Sequence, residues 1–229
     1  VKLFLREPLR TDFLATFFGA GHLGRSALRG MPHPFEKSLT TTQAEIIRKA
    51  RAGDLEAFHA IHEEYARRIL NFIYRMVDNR EDAEDLTQNV FLNAFHELKS
   101  LQDDGRFEPW LYRIARNEVY QAFRRKRGKH QMVDPTDGSP IFQSRRLVDE
   151  RPTPQESMLQ NELGMNIRRV LLSLPPKLRE VFVLAVIHQM SYARISEIVG
   201  RSLLSVKTDI FRARSQARKA LGQYLEVRR

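Results

Sequence analysis

The chain has 229 residues, a net charge of +10 from 38 Lys and Arg against 28 Asp and Glu, and no cysteine. Its length allows one large or two small domains, and the missing cysteines remove disulfides, thiolate zinc sites and cysteine nucleophiles together. No apolar run approaches the roughly 20 residues of a spanning helix, so no stable membrane insertion and a cytoplasmic location are expected.

The charge is uneven. Residues 154–229 hold 13 bases against 6 acids, whereas residues 41–130 hold 16 against 15. Excess positive charge gathered at one end favours a polyanionic partner, most simply DNA.

In chain order, residues 1–40 come first. Lys2, Arg6 and Arg10 precede FLATFFGA, a faint likeness to a signal peptide whose apolar stretch is short and interrupted. The expectation is an extension outside the fold, either disordered or a start-site artefact with translation opening at Met31.

From Thr42 to Lys129 the composition is helical, and Pro109 is the only proline. Thr42 with Glu45 forms a candidate capping box for a helix ending near Gly53, and Asp54 is placed to cap the next. In that helix Phe58, Ile61, Tyr65, Ile69, Phe72, Ile73 and Met76 form an apolar stripe, broken at Asn79. A third helix is expected from about Glu81 to Leu98. After the loop KSLQDDGRFEP, a fourth runs from Trp110 to about Lys126.

This body is polarised. Asp78, Glu81, Asp82, Glu84 and Asp85 face only Arg80 in sequence, while Arg113, Arg116, Arg124, Arg125, Lys126, Arg127 and Lys129 face only Glu118. Acids at a helix start complement its macrodipole, which accounts for Glu81 and Asp82. Asp85, Gln88, Asn89 and Leu92 continue along one face and suit a basic helical partner protein. Arg113, Arg116, Tyr120, Arg124 and Arg127 step by three or four along the fourth helix and suit phosphates and unstacked bases. Among the nearby aromatics, Trp110 and Phe123 read as core, and Phe107, placed in the loop, reads as more open.

Residues 131–153 lose all periodicity and carry Pro135, Gly138, Pro140 and Pro152, the composition of an extended linker. Helical patterning resumes after Pro154 with ESMLQNELGMNIRRVLLSL. Pro175 and Pro176 punctuate it, and KLREVFVLAVIHQM forms an apolar helix. SYARISEIVGRSLLSVKTDIFRARSQARKA then reads as a helix-turn-helix. Gly200 supplies the turn and Ser202 the next cap, while Val206, Ile210, Ala213, Ala217 and Leu221 face inward. Leu204, Ser205, Thr208, Phe211 and Arg212 turn outward, flanked by Lys207 and Arg214. The expected fold class is all-α, with two small helical domains at 41–130 and 154–229 joined by the 131–153 linker.

DAEDLTQNVFLNAFHEL (82–98) with FEPWLYRIARN (107–117) resembles domain 2 of the bacterial extracytoplasmic-function sigma factors. LPPKLREVFVLAVIHQMSYARISEIVGRSLLSVKTDIFRARSQARKAL (174–221) resembles their domain 4. The resemblance implies a non-enzymatic subunit, without cofactor or metal, that directs core RNA polymerase to promoter DNA. It implies that Asp82, Asp85, Gln88 and Asn89 dock on the β′ clamp helices and that domain 4 meets the β flap. It further implies that Arg106, Phe107, Arg113, Arg116, Asn117, Tyr120, Arg124 and Arg127 read the −10 element. Leu204, Ser205, Lys207, Thr208, Phe211 and Arg212 would read the −35 element, and an anti-sigma factor is a conceivable further partner. Relatives commonly carry Gly at 204 and a base at 209, so Leu204 and Asp209 are departures. An acid pointing at DNA lowers affinity unless it accepts from a cytosine N4. The rival function is a stand-alone dimeric helix-turn-helix regulator. Lacking a phosphate-binding glycine loop and having only scattered histidines, the chain is poorly equipped as an enzyme.

Overall fold

The computed structural model describes residues 41–128 and 156–226, with side chains over 42–126 and 164–221. The expectations for residues 1–40 and for the linker lie outside the described residues. Eight α-helices make up the described chain: α1 (Thr41–Arg51), α2 (Leu55–Val77), α3 (Arg80–Glu97), α4 (Phe107–Gly128), α5 (Glu156–Ser173), α6 (Pro176–Phe182), α7 (Tyr192–Val199) and α8 (Leu203–Glu226). Two 3₁₀ turns, Leu98–Ser100 and Asp104–Arg106, connect α3 to α4.

Helix boundaries follow from local chemistry. The Asp54 carboxylate accepts from the backbone N–H groups of Glu56 (3.0 Å) and Ala57 (3.1 Å), capping α2 as its position predicts. Thr42, by contrast, already lies inside α1, so it is a first-turn residue rather than a cap. Helix α2 stops because Asp78 enters the left-handed region at φ 58, and Asn79 then caps α3 by accepting from the Asp82 N–H at 2.9 Å. Thus Asn79 starts a helix rather than ending one.

Helix α4 begins at Phe107, three residues before the predicted Trp110. Pro109 falls in its first turn, where backbone N–H groups have no intrahelical partner and a proline removes nothing. In the second half, Pro176 opens α6 at a similar position. The apolar run then continues as a single π turn over Val183–Ile187, closed by a His188 N–H to Val183 carbonyl bond of 3.0 Å. Periodicity alone did not anticipate that turn.

The predicted stripes are the core. Ile61, Tyr65, Ile69, Phe72, Ile73 and Met76 of α2 are buried, as are Ile195, Ile198 and Val199 of α7 and Val206, Ile210, Ala213 and Ala217 of α8. The sequence left the relative placement of the two halves open, and the structure packs them together. Helix α4 lies on α7, and α2 touches α5, α6 and the π turn, so the buried apolar residues form one cluster through both halves.

Candidate functional site

The first candidate surface is the solvent face of α3. Asp85, Gln88, Asn89 and Leu92 are all exposed there. Asp82 sits at the margin of this face, half-buried, with its carboxylate accepting from the Lys126 ammonium of α4 at 2.5 Å. Beside the polar face lies an open apolar cleft lined by Phe58, His62, Gln88, Phe91, Leu92 and Phe95. Phe91 itself is buried and supports the cleft floor, edge-on to His62. Large exposed apolar side chains next to carboxylates fit an amphipathic helix that presents bases at its rim.

The second surface is α4. Arg113, Asn117 and Arg124 are exposed, whereas Arg116 and Tyr120 are half-buried and turn toward the second half of the chain. The Arg127 side chain lies outside the described residues. Phe107 corrects the sequence reading of an open loop residue: it is fully buried, edge-on to Tyr65 and tilted against Trp110. The cause is the early start of α4, which rotates position 107 inward. Arg106, one residue earlier, is exposed and 3.5 Å from Asp103. Asp104 is held away by Arg51 at 3.2 Å, which pins the 3₁₀ turn to α1.

The third surface is the start of α8. Gly200 stops α7 at φ 65, where its missing Cβ avoids strain, and the Ser202 hydroxyl accepts from the Ser205 N–H at 3.3 Å. Leu204 and Phe211 are each 75% exposed, with Lys207, Thr208 and Arg212 also facing solvent and Ser205 half-buried. Asp209 corrects the second sequence reading. It is 4% exposed, paired with Arg201 and with Lys177 at 3.7 Å, and points into the fold rather than at DNA. The signal was present: 206, 209 and 213 lie on one face of α8, the buried one.

Sequence reasoning missed the charged groups between the halves. Glu180, with no exposure at all, accepts from Arg116 Nε at 2.5 Å and from the Tyr120 hydroxyl at 2.9 Å. Burial pushes its carboxyl pKa up, and Arg116 pulls it back down. Arg179, also buried, donates to the Met76 carbonyl at 2.8 Å and to the Leu172 and Leu174 carbonyls, and burial lowers its pKa to about 10. Arg168 grips Asp78 at 2.5 and 3.1 Å, and Glu108 receives both Arg68 and Arg194. His188 Nδ1 lies 3.1 Å from the Tyr112 hydroxyl, and burial drives its pKa down to about 3. One signal could have found them: a charged Arg-Glu pair inside the apolar run LREVFVLAV demands buried partners.

Known proteins divide in the same two places. The model for sigma-70 region 2 matches residues 61–129, and that for sigma-70 region 4 matches residues 164–216. The ECF RNA polymerase sigma factor SigW of Bacillus subtilis is 33% identical over 178 residues, covering 76% of this chain and 94% of that protein. The ECF RNA polymerase sigma-E factor of Escherichia coli K12 is 30% identical over 175 residues, 76% of this chain and 91% of that one. Among solved structures, CnrH in complex with the cytosolic domain of CnrY has the same fold, with a TM-score of 0.60 at 23% identity over 79% of this chain and 97% of that one. The chain belongs to the extracytoplasmic-function sigma factors of the sigma-70 family, non-enzymatic subunits that bind core RNA polymerase and DNA and direct promoter-specific initiation.

Proposed function

We propose that the three surfaces divide the work of initiation. The α3 face, through Asp85, Gln88 and Asn89 with Asp82 at its edge, docks on the β′ clamp helices, and the apolar cleft beside it seats their apolar side chains. Helix α4 and the turn before it, through Arg106, Arg113, Arg116, Asn117, Tyr120 and Arg124, read the −10 element. The start of α8, through Leu204, Ser205, Lys207, Thr208, Phe211 and Arg212, reads the −35 element while region 4 rests on the β flap. Such work belongs in the cytoplasm.

The observation that carries this reading is the separation of charge on region 2: an exposed polar, acidic face on α3 and exposed arginines on α4. A DNA phosphate is repelled by the first and attracted by the second, so one domain holds two partners without conflict. The same cleft suits an anti-sigma helix; the neighbour RpoE from Bartonella quintana was solved in complex with the anti-sigma factor NepR.

Transcription from a cognate promoter with sigma-free core polymerase tests the assignment. Wild type restores specific initiation. Asp85→Arg weakens core binding by tenfold or more and leaves binding to −35 duplex unchanged. Undiminished core affinity in Asp85→Arg overturns the role given to α3.

A further inference from the structure

Helix α8 carries one face that its packing does not use. At about 100° per residue, Leu204, Thr208 and Phe211 fall within about 60° of arc, opposite the buried Val206, Asp209, Ile210 and Ala213. Leu204 and Phe211 are the most exposed large apolar side chains among the described residues. The Thr208 hydroxyl donates to the Leu204 carbonyl at 2.9 Å, so its proton is engaged inside the helix and its methyl group remains to meet a partner. The stripe is therefore apolar over two turns. Lys207 borders it on one edge and Arg212 on the other, both exposed, and no acid interrupts it because Asp209 points into the fold.

An apolar stripe between two cationic edges has a defined complement in DNA. Phosphates line both walls of the major groove, and on its floor the thymine 5-methyl is the one apolar group that a base edge presents. Leucine, the threonine methyl and phenylalanine make no hydrogen bond to a base, so they tell bases apart by that methyl alone. Leu204 is the second residue of α8, and the first residues of a recognition helix are those that reach base edges. Leu204 and Phe211 stand seven residues apart, about 10.5 Å of helix axis, the length of about three base-pair steps. The two bordering cations favour this polyanion over the apolar groove of a partner protein.

We infer that Leu204, with Thr208 and Phe211, makes α8 a reader of thymine methyl groups: the −35 element of this protein carries thymines facing the stripe, and their 5-methyl groups rather than their hydrogen-bonding groups are recognised. Lys207 and Arg212 hold phosphates on either side and set the register of the helix in the groove. Leu204 decides specificity at the entering end of α8. Without a side chain at 204 the stripe loses its first turn, and a thymine opposite it has no apolar partner. This inference rests on the −35 role proposed for α8.

The probe is duplex DNA randomised across the −35 region and offered to the full chain bound to core polymerase, once with thymidine and once with deoxyuridine in its place. Deoxyuridine keeps every hydrogen-bonding group of thymidine and lacks only the methyl. Thymidine is enriched at one or more positions in the first selection, and the preference at those positions is lost in the second. On the selected duplex, one deoxyuridine at an enriched position weakens binding about fourfold, the worth of burying one methyl group. In Leu204→Ala that penalty disappears at the position residue 204 faces and persists at the others. Thr208→Ser, which keeps the hydroxyl and removes only the methyl, abolishes it at its own position. Both residues are exposed, so neither substitution disturbs the core.

A selection without thymidine enrichment, or equal binding of the thymidine and deoxyuridine duplexes, overturns the inference. So does a wild-type penalty that Leu204→Ala, Thr208→Ser and Phe211→Ala all leave unchanged. A variant with both Lys207→Ala and Arg212→Ala separates this failure from that of the −35 role. If it binds the selected duplex as well as wild type, α8 is not the reading helix and the −35 assignment itself fails. If its affinity falls while deoxyuridine makes no difference to wild type, the −35 role stands and methyl reading alone fails.

Discussion

Phe107 offers the sharpest test, because sequence and structure give it different jobs. If it stacks on an unpaired base, truncation removes about 1–3 kcal/mol of DNA affinity and leaves folding untouched. The structure puts it at zero exposure between Tyr65 and Trp110. Phe107→Ala then loses both the transfer of a whole aromatic ring and the contacts around the cavity left behind, about 3–5 kcal/mol of stability. Against a typical domain stability of about 5–15 kcal/mol, that is a large fraction of the total. Each 1 kcal/mol lowers the melting temperature of a domain this size by roughly 4–8 °C, so a fall well above 10 °C is expected. Phe107→Leu keeps most of the volume and costs about 1–2 kcal/mol. The assay pairs urea or thermal unfolding with binding of a single-stranded −10 oligonucleotide by the folded Phe107→Leu protein. Near-normal oligonucleotide affinity with reduced stability supports the core assignment. Normal stability with DNA affinity lowered tenfold refutes it.

Asp209→Ala removes the nearer carboxylate from the low-exposure Arg201, leaving it only Glu180 at 3.9 Å, and is expected to destabilise region 4 by about 1–3 kcal/mol in urea unfolding. Lys177 also loses its partner but is well exposed and adds little to the cost; a rise in DNA affinity with no loss of stability would contradict the inward position of Asp209. Leu204→Ala and Phe211→Ala, both at highly exposed positions, should change stability by less than about 0.5 kcal/mol. The same variants should weaken binding to −35 duplex severalfold in an anisotropy titration; unaltered binding removes these residues from the reading face. His188 is expected to couple stability to pH. Its folded pKa of about 3 lies below the ordinary value, so the unfolded chain binds the extra proton first. Its contribution is therefore complete above about pH 6.5 and erodes as pH falls toward 3, by at most about 2 kcal/mol at pH 5. Glu180, whose pKa is raised by burial, acts in the opposite sense, so the measured quantity is the difference between wild type and His188→Gln in urea midpoints at pH 7 and pH 5. A pH-independent difference refutes the burial of a neutral ring.

Much of the fold was legible in the order of residues because its causes are local. The α2 stripe, the Asp54 cap, the Gly200 stop and the Ser202 cap depend on residues within one or two turns of each other. The exposed faces of α3 and α8 were legible for the same reason: periodicity of 3.6 assigns each side chain a direction once the helix is known. Phe107 escaped because α4 begins about one turn before Trp110, with Pro109 tolerated in its first turn. Asp209 escaped because a carboxylate on a buried helix face needs cationic partners, and these, Arg201 and Lys177, come from outside α8. What only tertiary structure decided is the contact between the regions. Glu180 finds Arg116 and Tyr120 across 64 and 60 positions, and Arg168 finds Asp78 across 90. No local pattern encodes such pairings: a buried carboxylate signals that a partner is required, but packing of distant helices chooses which one. The sequence by itself determined two basic helices and one with an exposed polar, acidic face, because each face is set by residues within a few turns. The tertiary structure decided that Arg116 and Tyr120 on one of the basic helices meet the buried Glu180 from the other half of the chain.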